Sequence, residues 1–411
     1  MQILELRPKR CGGGHGVAVH EHDFAFVSRG TIPGQWYAVF QEGHFVGHAI
    51  INLAAQNLGY LLKTAGDHLL QGNDVVSIAA TFATPAQALA VDEASWVKNY
   101  LAAKLAAAVA RRQRFGDFAA GRLCYGLEDD LPGLVIDLYQ NCVIYQINLA
   151  GIDRFRNEIH AWLAQHFPQH TIFNLENMAY RQREGLCAYQ EHPVTGVIKF
   201  SENGLHYAIP AEVMQKIGHY FDHARNRQRT EEILTQLRKR LDFQNGLDLF
   251  CYAGSWGLHL LRAGVAQVDF VDQGNLGATV AEHLAINGFA GRGAFYREDV
   301  FKFLGQTQKQ YQVVVCDPPA FRKGQSTSPK VGYEKLYRLI LPHLASPAVV
   351  AIASCTQGIA WQEIDKLIQT SWPHKRLTLL DLGGHNYDHP ISSFASPSFY
   401  LKHLLYLVED F

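Results

Sequence analysis

Apolar positions along the second half of the chain switch repeatedly between two rhythms. Short unbroken runs at 246–251, 266–271, 311–316 and 348–353 show no helical stripe. They read as strands buried on both faces. Between and after them, 255–263, 276–286, 333–344 and 359–370 carry apolar residues at three- and four-residue steps, and predict helices. Asn287-Gly288 stops the second of these. A further strand is expected at 293–297, and antiparallel strands at 377–382 and 399–408. This alternation predicts a doubly wound, mostly parallel α/β sheet. Just upstream, two period-two runs within 196–210 flank Glu202-Asn203-Gly204, a strong hairpin signal. A helix to about 240 follows.

The first half follows other patterns. Short apolar runs at 24–27, 36–40, 45–51 and 60–62 predict a small β-rich unit over 1–65. Segment 74–82 is strand-like. The clearest helix spans 92–114, with Trp96, Tyr100, Leu101, Leu105 and Ala108 on one stripe. Strands follow within 122–139, turning at 130–133, and at 143–148 and 172–175, with a helix at 154–167. The expected organisation is a β-rich unit at 1–65, a central α+β domain at 66–190 and the doubly wound domain at 191–411.

Composition narrows the function classes. A net charge of −1 over 411 residues gives no general basic field for nucleic acid, so any such contact must be local. Local clusters exist: Arg111, Arg112 and Arg114 end the long helix, and Arg225, Arg227 and Arg229 open the helix after the hairpin. The first suits either complementing the helix dipole or an RNA phosphate contact, the second either a solvated helix face or a phosphate or carboxylate contact. Seven cysteines without a Cys-x-x-Cys pair argue against zinc and against a disulfide framework. His20, His22 and Asp23 form a metal-like group that reads better as a polar turn, and no metal is expected. The glycine loop at 11–16 lacks a following Lys-Ser/Thr and does not read as a phosphate loop. No secretory segment opens the chain and no apolar run reaches membrane length, so a reduced, cytoplasmic protein without membrane contact is expected.

The chemistry concentrates at 245–272. This stretch reads as strand, glycine turn, helix, strand and acidic end, the nucleoside half of a doubly wound sheet. Gly254 and Gly257 permit a sharp turn and close approach of a ligand. Gly-x-Gly-x-x-Gly is absent, which disfavours a dinucleotide and favours S-adenosylmethionine. Asp272, Asp299 and Asp317 each close an expected strand on the same edge, matching a ligand with a diol, an exocyclic amine and an ammonium group. Two cysteines stand at that edge: Cys316 before Asp317-Pro318-Pro319, and Cys355 between Ser354 and Thr356. A cysteine there suits methylation of a pyrimidine carbon-5, which needs a thiolate to add at carbon-6. Cys355 is expected near a helix N-terminus, where a thiolate is stabilised.

From about residue 120 onward, the chain resembles bacterial large-subunit ribosomal RNA cytosine-5 methyltransferases of the RlmI type. The resemblance rests on Arg122-Leu and 130–137, on Arg183-Glu-Gly-Leu, and on Glu202-Asn-Gly. It continues in Lys216-x-Gly-x-Tyr-Phe-Asp222, the 248–257 loop, Asp317-Pro-Pro-x-Phe321, Ser354-Cys355 and Asp388-His389-Pro390. It implies a PUA domain at the N-terminus, a central α+β domain and a Rossmann-like methyltransferase domain. It implies S-adenosylmethionine held by Tyr220, Asp222, Phe250, Tyr252, Ala253, Gly254, Asp272, Asp299 and Asp317. Cys355 is then the nucleophile, and Pro318, Pro319, Phe321, Arg225 and Arg227 face a ribosomal RNA substrate. The chain departs from the family in Ala320, where Lys is usual, and in Asp222-His223-Ala224, where Asp-Gln-Arg is usual. Two alternatives stay open: methyl transfer to another atom or substrate, and a silent RNA-binding relative. A homodimer is compatible with the sequence.

Overall fold

The structure is a computed structural model that describes residues 1–5, 17–19, 32–53, 55, 59–63, 84–116, 118–189, 191–321, 328–392, 396 and 398–411. The 11–16 loop, His20, His22, Asp23 and the strands expected at 24–27 and 74–82 lie outside these residues. The chain divides into two compact units, Met1–Val194 and Thr195–Phe411.

The first unit holds two sheets. A five-stranded sheet runs in the order Gln2–Glu5, Gln35–Gln41, His44–Ile51, Gly59–Lys63, Val17–Val19. Its first strand was not visible in the sequence, because it pairs in parallel with Gln35–Gln41 rather than with a neighbour in the chain. A four-stranded sheet follows, in the order Gly121–Tyr125, Leu134–Leu138, Cys142–Ile147, Thr171–Asn174. The helix Glu93–Gln113 starts at Asp92, whose side chain caps Ser95 N–H. Its basic end is a correction to the sequence reading. Arg112 is buried, and donates to Asp129 Oδ1 at 2.5 Å. Arg111 bonds the same carboxylate at 3.0 Å and Glu128 O at 2.7 Å. These two arginines fix the turn before Leu134–Leu138, so neither is a free phosphate contact.

The second unit opens with the expected hairpin, Val197–Glu202 against Leu205–Pro210. Asn203 and Gly204 make its two-residue turn at φ 50° and 79°. The helix α1 (Ala224–Leu237) leads to a seven-stranded sheet. Its strands are β1 (Asn245–Leu249), β2 (Gln267–Asp272), β3 (Gly293–Arg297), β4 (Tyr311–Cys316), β5 (Leu344–Ser354), β6 (Lys375–Gly383) and β7 (Lys402–Asp410). They lie in the order β3-β2-β1-β4-β5-β7-β6. β1 to β5 are parallel, and β7 runs antiparallel to both β5 and β6. The connecting helices are α2 (Ser255–Ala263), α3 (Gly277–Ile286), α4 (Val300–Gln306), α5 (Pro329–Ile340) and α6 (Trp361–Ser371). The core is apolar: Leu247, Leu249, Val314, Val350, Ile352 and Leu404 are inaccessible or nearly so. Chain order reverses between β1 and β4, which opens a crevice at the carboxyl ends of those strands.

Candidate active site

The turn after β1 begins the site. β1 ends at Leu249, earlier than the apolar run suggested, because Phe250 and Tyr252 adopt left-handed conformations at φ 60° and 46°. Gly254 follows at φ 81° and starts α2. Non-glycine residues rarely hold this conformation, so contacts must fix them. Tyr252 N–H donates to Asp272 Oδ2 at 3.0 Å, and Tyr252 Oη accepts Gln215 N–H at 3.1 Å. His283 Nδ1 bonds Ala253 O at 2.8 Å. Gly257 serves a different purpose from the expected one. A Cβ there would stand 2.1 Å from the Phe270 ring, so this glycine lets α2 pack on the sheet.

The three strand-end aspartates lie where the sequence put them. Asp272 closes β2, and its Oδ1 accepts Gly274 N–H at 2.7 Å. Each carboxylate oxygen is thus held by one backbone N–H and keeps acceptor capacity for a hydroxyl. Asp299 caps α4 through Lys302 N–H at 3.0 Å and accepts Gln273 Nε2 at 2.6 Å. Asp317 follows β4. Its Oδ2 accepts Trp256 Nε1 at 3.1 Å and lies 3.3 Å from His223 Nε2. Burial alone would raise the Asp317 carboxyl, but His223 and Trp256 outweigh it and hold it below its ordinary value. For His223, burial works against the cation. The Asp317 and Asp222 carboxylates win, and its imidazole is held above its ordinary value.

Asp222 sits beside this pair. It is buried, and Tyr400 Oη donates to its Oδ2 at 2.6 Å. Burial is again outweighed, here by His223 and His389, so the carboxyl is lowered. Among the described residues its buried Oδ1 has no hydrogen-bond partner, and neither has Asp248 Oδ1. Burial pushes the Asp248 carboxyl up to about 8, helped by the Asp317 and Asp272 charges. Two unsatisfied buried carboxyl oxygens beside a left-handed backbone loop are a polar lining suited to a ligand. Tyr220 meets Tyr252 edge to face, with ring centroids 5.3 Å apart.

Cys355 stands one residue past β5. Its Sγ donates to Pro318 O at 3.9 Å, and it is partly exposed. Tyr333 Oη bonds both flanking hydroxyls, Ser354 Oγ at 2.8 Å and Thr356 Oγ1 at 2.7 Å, and Lys402 Nζ donates to Thr356 O at 2.7 Å. These bonds pin the loop on both sides of the thiol. The expected help from a helix N-terminus is absent, since α6 begins only at Trp361. Burial, with Asp317, instead pushes the thiol up to about 11. Cys316 is fully buried, and burial raises its thiol well above the ordinary value. Of the remaining residues, Pro318 is buried, Pro319 is exposed and Phe321 packs edge-on against Tyr333. Arg225 is exposed and lies over the Tyr387 ring at 5.1 Å.

Arg227 is a second correction. It is buried and bonds Glu202 through Nε at 2.8 Å and Nη2 at 2.6 Å. Nη2 also donates to Tyr220 O at 2.9 Å. It ties the hairpin to α1 and positions Tyr220 rather than meeting an RNA. Sequence reasoning passed over Trp256, His223 and Tyr400. The first two bind Asp317 and the third binds Asp222; Trp256 lies inside the 248–257 loop and His223 stands in the sequence only as a departure from the family motif, neither with a role.

A model of the S-adenosylmethionine-dependent methyltransferase family matches residues 158–369, spanning the left-handed loop, the three aspartates and Cys355. The chain belongs to that family. The methyltransferase is 30% identical over 298 residues to "Ribosomal RNA large subunit methyltransferase I" of Shewanella denitrificans, covering 69% of this chain and 73% of the relative. It is 29% identical to the protein of the same name from Shewanella amazonensis, over 75% of this chain and 80% of that one. The resemblance read from the motifs is therefore borne out. Among solved structures, a Streptococcus mutans protein described as a candidate SAM-dependent methyltransferase superposes with a TM-score of 0.71 at 18% identity, covering 99% of this chain and all of that one. SMU.776, complexed with SAH, gives a TM-score of 0.72 at 18% identity over 99% of both chains. At that identity the likeness establishes the fold, a Rossmann-like α/β methyltransferase. S-adenosylmethionine is accordingly the cofactor. Among the described residues no helix is long and apolar enough to cross a membrane.

The site residues fit that cofactor. Asp272, with one backbone N–H on each oxygen, keeps acceptor capacity that suits a diol. Asp272→Ala is expected to weaken S-adenosylmethionine binding by about 1.5–3 kcal/mol, the loss of one charge-assisted contact. Isothermal calorimetry checks this. Unchanged affinity would place the ribose elsewhere.

Proposed function

We propose that this methyltransferase methylates carbon-5 of a cytosine in large-subunit ribosomal RNA, with Cys355 as nucleophile. The single observation that carries the reading is the partly exposed Cys355 thiol, pinned at the carboxyl edge of β5 beside the Asp317-Pro318-Pro319 turn. Two relatives that carry a ribosomal RNA methyltransferase name support the substrate class. In this reading residues 1–65 form a PUA-like domain and 66–190 a central α+β domain, both serving RNA. Tyr220, Asp222, Phe250, the 252–254 loop, Asp272, Asp299 and Asp317 hold the cofactor. Pro318, Pro319, Phe321 and Arg225 face the base or its strand. A cytoplasmic location suits an RNA-modifying enzyme.

Cytosine carbon-5 is a poor nucleophile in the ground state. The target base leaves its stack to enter the site. Cys355 loses its proton and its thiolate adds to carbon-6, which leaves the electron pair at carbon-5. When bound, S-adenosylmethionine supplies an electrophilic methyl to that carbon. A base then removes the carbon-5 proton, and elimination expels the Cys355 thiolate and restores the aromatic ring. Burial pushes the resting thiol up to about 11, so the thiol needs a proton acceptor at the time of addition. The test is transfer of labelled methyl from S-adenosylmethionine to total RNA, followed by nucleoside analysis. Label in 5-methylcytidine is expected. Label in another nucleoside would support the alternative atom, and no label in RNA would reject the substrate class.

A further inference from the structure

A cleft of about 280 Å³ opens on the second unit and is lined by Arg225, Asn226, Arg229, Trp361, Asp381 and the 382–384 strand end. Its lining carries two arginines, one aspartate and one tryptophan. Arg225 lies over the Tyr387 ring at 5.1 Å, and among the described residues no carboxylate pairs with it. Arg229 is half exposed; it donates to Glu232 Oε2 at 3.3 Å and lies 3.5 Å from Asp381 Oδ1. Such solvent-facing pairs are weak and exchangeable. Leu382 of the lining and Tyr387, the ring under Arg225, are about half exposed, at 51% and 50%. The partly buried Trp361 donates to Gly383 O at 3.3 Å.

One residue of the cleft lining, Asn226, reaches toward the active site. Asn226 Nδ2 donates to Gly384 O at 2.9 Å and lies 3.1 Å from His223 Nδ1. His223 in turn lies 3.3 Å from Asp317. Gly383 makes this approach possible, because a Cβ there would stand 2.3 Å from Asn226 Oδ1. A chain of three side chains therefore links the cleft to the methyl-transfer edge.

We propose that this cleft binds an unpaired ribonucleotide adjoining the target cytosine. Arg225 and Arg229 take the flanking phosphates, and the base stacks on the Tyr387 and Arg225 faces over Leu382. Two cations within one helical turn of α1 match successive phosphates, and an aromatic face beside them matches a splayed base. A duplex would not fit, since its bases are already stacked. The proposal rests on the RNA reading of the active site and adds where the strand leaves it.

The test is binding of a fluorescein-labelled single-stranded RNA to the full-length protein saturated with S-adenosylhomocysteine, across a salt series. Arg225→Ala and Arg229→Ala should each weaken binding and flatten the slope of log affinity against log salt by about 0.7. Tyr387→Ala should weaken binding roughly tenfold, and Tyr387→Trp should restore it. S-adenosylhomocysteine affinity should stay constant throughout, which shows that the variants fold. If wild-type protein binds the RNA and these variants match it in affinity and slope, the cleft proposal fails while the RNA reading stands. If polyglutamate displaces the RNA at equal charge, the cleft recognises acidic polypeptide and the proposal fails. If wild-type protein binds no single-stranded RNA, both fall.

Discussion

Cys355→Ala is expected to bind S-adenosylmethionine as the wild type does and to lose turnover by on the order of 10⁴ to 10⁶. Among the described residues the thiol's hydrogen bond is to Pro318 O at 3.9 Å and not to a side chain expected to hold the cofactor. The loop around it is fixed by the Ser354 and Thr356 hydroxyls and by Lys402, which the substitution leaves in place. Binding and fold should therefore survive. The chemistry should not, because carbon-5 has no other source of electrons once the carbon-6 adduct is lost. Cys316→Ser separates the two cysteines. Cys316 is fully buried at the end of β4, so its loss should cost stability rather than the nucleophile. Substantial activity in the serine variant is expected. Near-wild-type turnover by Cys355→Ala would remove the covalent mechanism.

Glu202→Ala should destabilise the second unit by about 3–5 kcal/mol, the usual cost of leaving a buried ion unpaired. Glu202 receives Arg227 through both Nε and Nη2, and lies 2.9 Å from His219 Nε2. Removing it strands a guanidinium that is 1% exposed. Against a domain stability of roughly 5–15 kcal/mol, that is a large share. Urea unfolding followed by hydrogen exchange in β1 and β4 measures it. The paired substitution Glu202→Leu with Arg227→Met should recover most of the loss, because neither partner then leaves a buried charge unpaired. The contribution is also pH-dependent. Burial opposes the Glu202 carboxylate, but Arg227 and His219 outweigh it and hold the carboxyl well below its ordinary value. The stabilisation is therefore complete above the ordinary carboxylate range and is lost as the pH falls toward the lowered folded value. A change within about 1 kcal/mol for Glu202→Ala would show that the arginine finds water instead.

Much of this was legible from residue patterns. The parallel strands, the Asn-Gly hairpin and the acidic strand ends are local signals, and each lies where its period or turn chemistry demanded. What stayed hidden depends on partners far apart in sequence. Arg227 reads as a surface cation until Glu202, 25 residues upstream, is folded against it. Arg112 likewise needs Asp129. The left-handed Phe250 and Tyr252 contradict local preference, and the contact that holds Tyr252 comes from Asp272 on the next strand. His223 is the most instructive case. In sequence it is a departure from Asp-Gln-Arg. In the structure it lies 3.3 Å from Asp317 and joins the site to the neighbouring cleft.

The central claim is a covalent bond between Cys355 and the target base. RNA carrying 5-fluorocytosine should stop the reaction after methyl transfer, because fluorine blocks removal of the carbon-5 substituent. Incubation with S-adenosylmethionine and peptide mapping of the protein–RNA adduct then locates the bond. The account predicts a single modified peptide, attached through Cys355 Sγ. Attachment at Cys316, or 5-methylcytidine formed on ordinary RNA with no adduct on the fluorinated one, would contradict it.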